Sequence, residues 1–369
     1  MEKPRIAIIG ANEAIDTLIK KAKEKGYETH VFAWECGDPG EKSADVFYPI
    51  SVADKEKILE ECRTLNIKGV VSITSDFTVN TVNYVARNLG LVSNSKKTDE
   101  VARNKYKMRN ALKAAGIYTP WFVKVNKLTD LSFLEHHEYP VIVKPTDRWS
   151  SKGVTRVNKY ADLRSAVEYA ISQSLQGEVI VESFMEGQEY SAECLCWKGE
   201  YRILAFTQKM TTGYPHYIKT GHIEPSNISS DKQKQVTDII FKALFALDIK
   251  YGAAHAEFRT LDNGEIGIIE IGARMGGDCI GTDLVYLSTG YDYVGLIIDI
   301  ACGIRPNIKK YSHYKSAKVT FILNNDDYNL YLTDKKRGNV LREFGITGDV
   351  GGSVIDSSTR HGYYISVQG

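Results

Sequence analysis

The chain has 369 residues, with 47 Lys+Arg against 46 Asp+Glu, so no global field recruits nucleic acid or a membrane surface and any anion site must be local. Its length suits two or three domains, and 43% hydrophobic with 25% charged residues is the composition of a soluble globular protein. Six cysteines without CxxC spacing, an apolar run in MEKPRIAIIG too short for a signal peptide, and no membrane-length segment predict a cytoplasmic protein with free core thiols.

Residues 5–9 (RIAII) lead through Gly10-Ala-Asn12 into a helical pattern that Gly26 stops, and Glu28–Phe32 reads as the next strand. Helices over Lys55–Leu65 and Thr78–Leu89 flank a strand at Val70–Ile73, and this alternation predicts a small parallel sheet covered by helices. The first turn, GANEA, is not GxGxxG, and the second strand does not end in a convincing acidic residue, so a dinucleotide site is not expected. A helix over Asp99–Ala115 ends at Gly116, with Pro120 soon after. Then the texture changes to a strand bracketed by prolines (139–145, YPVIVKP), a polar loop (147–153, DRWSSKG), a helix over Tyr160–Gln173 and a strand over Glu178–Glu182. Residues 189–224 alternate like antiparallel strands, 231–247 form an amphipathic helix, and 253–259 pairs with 265–272 around Asp262-Asn-Gly264. Helices near 283–288 and 291–302 follow, and the tail, 311–369, is rich in Tyr, Asn and Gly with short β-like runs.

Three groups of residues carry chemistry. Lys144 ends an apolar strand just before a proline, and the loop with Ser150, Ser151, Lys152 and Gly153 follows at once. With Lys105 as a second cation, such a loop can wrap phosphate oxygens, although no Walker A motif is present and solvated lysines beside an ordinary loop read the same. Residues 179–189 (VIVESFMEGQE) place Glu182 and Glu189 on either side of an apolar pair and a turn. A purine needs a hydrogen-bonding edge, an apolar slot and a ribose acceptor. Glu182 with the backbone of Ser183, Phe184 and Met185, the side chain of Phe184 or Met185, and Glu189 can supply them; a hairpin with surface glutamates fits these residues equally. Glu257 and Glu270 lie in two core-like strands, where inward carboxylates repel unless a cation compensates. Hard oxygens beside phosphate suit Mg²⁺. If instead one of them pairs with Arg274 and the other faces solvent, the glycines of EIGARMGGD (270–278) stay unexplained.

The ordered set Asn104-Lys105, Pro140-Val-Ile-Val-Lys-Pro145, Glu182 to Glu189, Glu257-Phe258 and Glu270-Ile-Gly-Ala-Arg274 resembles the ATP-grasp superfamily of carboxylate–amine ligases. Its wording is most similar to ligases that join amino acids. The resemblance implies an α/β and α+β chain: a Rossmann-like pre-ATP-grasp layer (1–95), a connecting helix (96–117), a small lid subdomain (118–188), a large catalytic subdomain (189–310) and a β-rich C-terminal segment (311–369). It implies Lys105 and Lys144 on the phosphates of ATP beneath a closing 148–153 loop, Glu182 and Glu189 at adenine and ribose, and Mg²⁺ (Mn²⁺ as an alternative) on Glu257 and Glu270. Arg274 would face the substrate carboxylate and the acyl-phosphate formed from it, with His222, Asp76, Gly276 and Asp278 as further substrate-side candidates. The implied reaction joins a small carboxylate, such as an amino acid, to an amine and releases ADP and phosphate. It needs no nucleic acid or membrane, and a homodimer is common among resembling proteins. A carboxyphosphate-forming, carboxylase-like enzyme and a non-catalytic nucleotide-binding module are the alternatives; Arg274 speaks against the second, since ATP binding alone does not require it. Two departures are visible. Gly272 stands where many members carry Asn, leaving one metal less completely held, and His255 stands where D-alanine–D-alanine ligases carry Arg.

Overall fold

The strand Arg5–Ile9 pairs in parallel with Glu28–Phe32 on one side and Val70–Val71 on the other, and Val46–Tyr48 extends the sheet beyond Glu28–Phe32. The computed structural model describes residues 2–149, 151–352 and 354–368. Parallel neighbours need crossover connections; helices Glu13–Glu24 and Lys55–Leu65 lie between these strands in sequence, and Asp76–Asn88 follows Val70–Val71. The first of them is fixed at its start by Asn12, whose side chain accepts from Ile15 N at 3.2 Å, and it buries Ile15, Leu18, Ile19 and Ala22. The strand Val46–Tyr48 and the short helix Pro39–Ser43 lie in a stretch where the sequence pattern shows neither.

The helix expected over Asp99–Ala115 is two helices, Lys96–Val101 and Lys105–Ala114. Asn104 causes the break. Its backbone is extended (φ −124°), and its side chain accepts from Lys107 N at 3.0 Å, so it starts a second helix instead of continuing the first. That restart buries Lys105, Met108, Arg109 and Leu112 together.

Four antiparallel strands form the second sheet, in the order Phe122–Val125, Val179–Ser183, Val141–Pro145 and Thr155–Val157. Helix Leu163–Gln173 covers it, with Val141, Val143, Val167 and Val181 in a core separate from the rest of the chain. The third sheet has eight strands, in the order Ile266–Gly272, Gly252–Leu261, Gly187–Trp197, Glu200–Thr211, Lys219–Glu224, Ser316–Phe321, Tyr363–Gln368 and Val340–Phe344. Three of these strands come from the tail, which also contains a helix, Asn325–Lys336, that its Tyr- and Asn-rich sequence hides. Cys194 and Cys196 alternate onto one buried face of Gly187–Trp197, and all six cysteines are free. Among the described residues no helix is long and apolar enough to cross a membrane.

One buried carboxyl has no cation paired with it among the described residues. Glu224 is fully buried and accepts hydrogen bonds from Thr207 Oγ1 (2.6 Å) and Ser288 Oγ (2.9 Å). Burial outweighs the two hydroxyls and pushes its pKa up from 4.5 to about 8. A carboxyl whose folded value lies above its unfolded one supports the fold fully below the unfolded value and loses that support as pH rises towards 8. Glu224→Gln removes this titration, so its melting temperature should fall less than that of the unsubstituted protein between pH 6 and 8.5; parallel melting profiles would count against the assignment.

Candidate active site

A cavity of about 410 Å³ is lined by Asn12 and Asp76 from the N-terminal layer, Lys144 and Glu182 from the small sheet, and Glu257 and Glu270 from the large one. Eight of its lining side chains are basic and six acidic. A local positive excess in a nearly neutral chain suits a polyanionic ligand.

The best-packed part of the site is an ion cluster around Glu182, which is 1% exposed. Arg109 Nε donates to its Oε1 at 2.5 Å, and Lys144 Nζ lies 2.7 Å from Oε2. Arg109 also donates to the carbonyls of Ile268 (2.7 Å) and Ile269 (3.0 Å), joining the helix Lys105–Ala114 to two sheets. Burial alone would raise the Glu182 pKa, but Arg109 and Lys144 outweigh it and bring the carboxyl down to about 2. Burial dominates at Lys144 and lowers its pKa despite Glu182. Both carboxylate oxygens of Glu182 are thus engaged within the protein, which leaves less of it for the purine edge than the sequence alone implies. Next to it, the N–H groups of Ser183 and Phe184 bond Trp121 O (2.9 Å) and Pro140 O (3.0 Å). Arg109 gives no motif signal; the available clue is an arginine four residues after Lys105 on the same helix face.

Lys105 Nζ donates to Arg148 O (2.6 Å) and to Glu270 Oε1 (2.9 Å). Strand register sets Glu270 opposite Glu257. Glu257 Oε1 takes Lys209 Nζ and His255 Nε2, the latter at 3.1 Å. Among the described residues Oε2 of Glu257 and Oε2 of Glu270 make no hydrogen bond, and both side chains are partly exposed to the cavity. Two adjacent hard oxygens facing one cavity fit Mg²⁺, which takes one or two carboxylates and completes its shell with phosphate and water. In keeping with so sparse a donor set, no group of three or more His, Cys, Asp or Glu gathers as a metal cluster among the described residues. Burial works against the Lys209 ammonium, but Glu257 and Glu189 outweigh it and raise its pKa.

Glu189, on the strand that follows the turn at Gly187, is paired with Lys219 and, at 3.3 Å, with Arg259 NH2. Arg259 also donates to Met185 O at 2.8 Å and lies over the rings of Phe184 and Tyr217. Phe184 and Met185 therefore form an apolar wall held by the buried Arg259 guanidinium. Of the loop candidates, Ser151 and Lys152 line the cavity. Gly153 turns the backbone at φ +72° and packs against Pro145. Ser150 lies outside the described residues.

The loop 273–278 carries the substrate-side candidates. Arg274 makes a two-point contact with Asp76, Nε to Oδ1 at 3.1 Å and NH2 to Oδ2 at 2.8 Å. His222 is fully buried, with Nε2 3.4 Å from Asp278 Oδ2 and Nδ1 without a partner among the described residues. Burial lowers its pKa to about 4 against the pull of Asp278, so the ring is neutral at physiological pH. Asp278 is held from the tail by Arg360 at 3.0 and 3.3 Å, and Ser357 of the same tail loop lines the cavity. The sequence reading assigns no role to Arg360. Gly276 is placed differently from the other three candidates: it does not line the cavity, and its N–H donates to Glu193 Oε2 at 2.9 Å. Glu193, fully buried, also pairs with His255 Nδ1 and so links this loop to Glu257 through one imidazole. A Cβ at Gly276 would lie 2.5 Å from Glu193 Oε1, which explains the glycine as room for this carboxylate.

Residues 137–283 match the ATP-grasp domain family. Over that stretch the chain is similar to ATP-grasp domains. The matched stretch runs from just before Pro140 to Asp283 and so includes Lys144, Glu182, Glu189, Glu257, Glu270 and Arg274. The chain is 29% identical over 237 residues to an alanine–anticapsin ligase of Bacillus subtilis, covering 58% of this chain and 50% of that protein. It is 27% identical over 278 residues to a D-alanine–D-alanine ligase of Flavobacterium johnsoniae, covering 70% and 82% respectively. The chain spans about half the length of the first curated relatives it matches. Its fold is similar to that of an L-amino acid ligase from Bacillus licheniformis, with a TM-score of 0.81 at 23% identity, covering 100% of this chain and 94% of that one. The architecture is thus an ATP-grasp fold preceded by a Rossmann-like parallel layer.

Proposed function

We propose that this chain is an ATP- and Mg²⁺-dependent ligase that activates a small carboxylate, an amino acid by preference, as an acyl-phosphate and joins it to an amine, releasing ADP and phosphate. The observation that carries the reading is the convergence of Lys105, Lys144, the Glu257–Glu270 pair and Arg274 on one cavity. Phosphoryl transfer depends mainly on positioning and on neutralising spread charge. Lys105 and Lys144 supply fixed positive charge for phosphate oxygens, with Phe184 and Met185 as the base slot and Glu189 beside the ribose. Glu257 and Glu270 would hold Mg²⁺, which when bound supplies further charge neutralisation at the phosphates. Arg274 orients the attacking carboxylate, a planar anion suited to its fork. His222, neutral and with Nδ1 unpartnered among the described residues, belongs to the acceptor end together with Asp278. We place the enzyme in the cytoplasm.

The test is a screen of ADP release by the purified protein with Mg²⁺, ATP and amino acids, singly and in pairs. The expected result is release that requires an amine. Release independent of every amine acceptor would overturn the ligase reading, and dependence on bicarbonate would replace it with a carboxyphosphate-forming reaction.

A further inference from the structure

Gly272 is not among the residues with positive φ, so the backbone does not demand glycine there. Space does. A Cβ at this position would lie 2.8 Å from Asp76 Oδ1 and 3.2 Å from both Nε and Cζ of Arg274. The missing side chain leaves room for the ion pair between Asp76, in the first turn of the helix Asp76–Asn88, and Arg274, 198 residues later. Both side chains are largely buried, at 12% and 15% exposure.

We propose that Asp76 is a positioning residue that sets the Arg274 guanidinium for the substrate carboxylate, and that Gly272 is the gap through which it reaches. This rests on the ligase reading above. Arg274 has five N–H donors. Nε and one hydrogen of NH2 go to Asp76, and one hydrogen of NH1 goes to Met275 O at 3.1 Å. The two donors left sit one on each terminal nitrogen, and these are what Arg274 can offer to a carboxylate or an acyl-phosphate. Asp76 thereby occupies the side-on edge, where a substrate would otherwise compete, and leaves one binding direction open. It also ties the N-terminal layer to the catalytic loop, so the site is complete only with that layer in place. Asp76 contacts Arg274 rather than the Glu257–Glu270 pair, so Gly272 is explained here without a further metal ligand.

The test is a double-mutant cycle. In Gly272→Ala the new methyl meets the end of a flexible side chain, so the fold is kept and Asp76 is pushed off Arg274. Asp76→Ala removes the same contact from the other side. Each single variant, assayed for ADP release with the amino acids found active in the screen, should lose kcat by about 100-fold, the scale of misplacing a catalytic group by an ångström, with KM for MgATP unchanged. The double variant should be no worse than Asp76→Ala, because the 2.8 Å contact disappears with the carboxylate. The 3.2 Å contacts with Arg274 are relieved by a shift of a few tenths of an ångström in a side chain then freed from Asp76. Melting temperatures are measured on all four proteins, and Asp76→Ser, which also vacates the Oδ1 position, takes the place of Asp76→Ala if the latter does not fold. Additive losses in the double variant, a normal kcat in Gly272→Ala, or a rise in KM for MgATP matching the fall in kcat would each overturn the proposal. An unsubstituted protein that releases no ADP with any amino acid removes the ligase reading and this role together; an active one with additive losses removes the role alone.

Discussion

Arg109→Met is expected to lower the unfolding free energy by about 3–5 kcal/mol, the usual cost of removing one partner from a buried ion pair. Methionine fills a similar volume but donates nothing. Glu182 would keep only Lys144, and the carbonyls of Ile268 and Ile269 would lose their donor inside the protein. Because the three partners of Arg109 lie on two different sheets, the loss should fall on their docking as well as on the helix. Denaturant melts of Arg109→Met, Glu182→Gln and the double variant measure it. The double should recover part of the loss, since neutralising Glu182 removes the stranded charge. A loss in Arg109→Met below about 1 kcal/mol, typical of an exposed pair, would show that water reaches the cluster.

The largest effect on activity is expected from Glu270→Gln. Glutamine keeps the size of the side chain and its contact with Lys105, so melting should hardly change, because Glu270 is 25% exposed and faces the cavity. The lost charge removes half of the proposed metal site. Amine-dependent ADP release should fall by at least about 100- to 1000-fold, the range seen when a single electrostatic stabiliser of a transition state is removed. Titration with Mg²⁺ separates weak binding from lost chemistry: rising activity at high Mg²⁺ means the metal is still captured. Activity near that of the unsubstituted protein at ordinary Mg²⁺ would place the metal elsewhere.

Much of this architecture is visible in the sequence because it depends on local pattern. Alternating apolar runs and helical stretches point to the parallel layer, and Asp262-Asn-Gly264 marks the hairpin that sets Glu257 against Glu270. The break at Asn104 is hidden because helical periodicity continues across it, and only the cap reveals the restart. The helix Asn325–Lys336 is hidden for a related reason: it buries Tyr331 alone, so its apolar face is too narrow to show as a stripe. In the site, the carboxylates and lysines carried by motifs are legible, whereas their partners are not. Arg109, Lys209, Glu193 and Arg360 act through contacts between residues 48 to 82 positions apart, and nothing near them in sequence marks which charge each will meet. The reading therefore found groups expected to touch ligand and missed those that hold them.

Arg360 on Asp278 has a consequence for how such a protein can change over time. The end of the cavity proposed for the substrate leans on the tail loop that carries Arg360, while the lysines and carboxylates proposed for the nucleotide and metal lie between residues 105 and 270. Substitutions in residues 356–360 can reshape one end of the site while leaving the phosphate-handling end untouched. Under the proposed function, preference for the acceptor is thus separable from the energy-supplying chemistry, and a chimera exchanging only the tail should inherit its acceptor from one parent and its nucleotide affinity from the other.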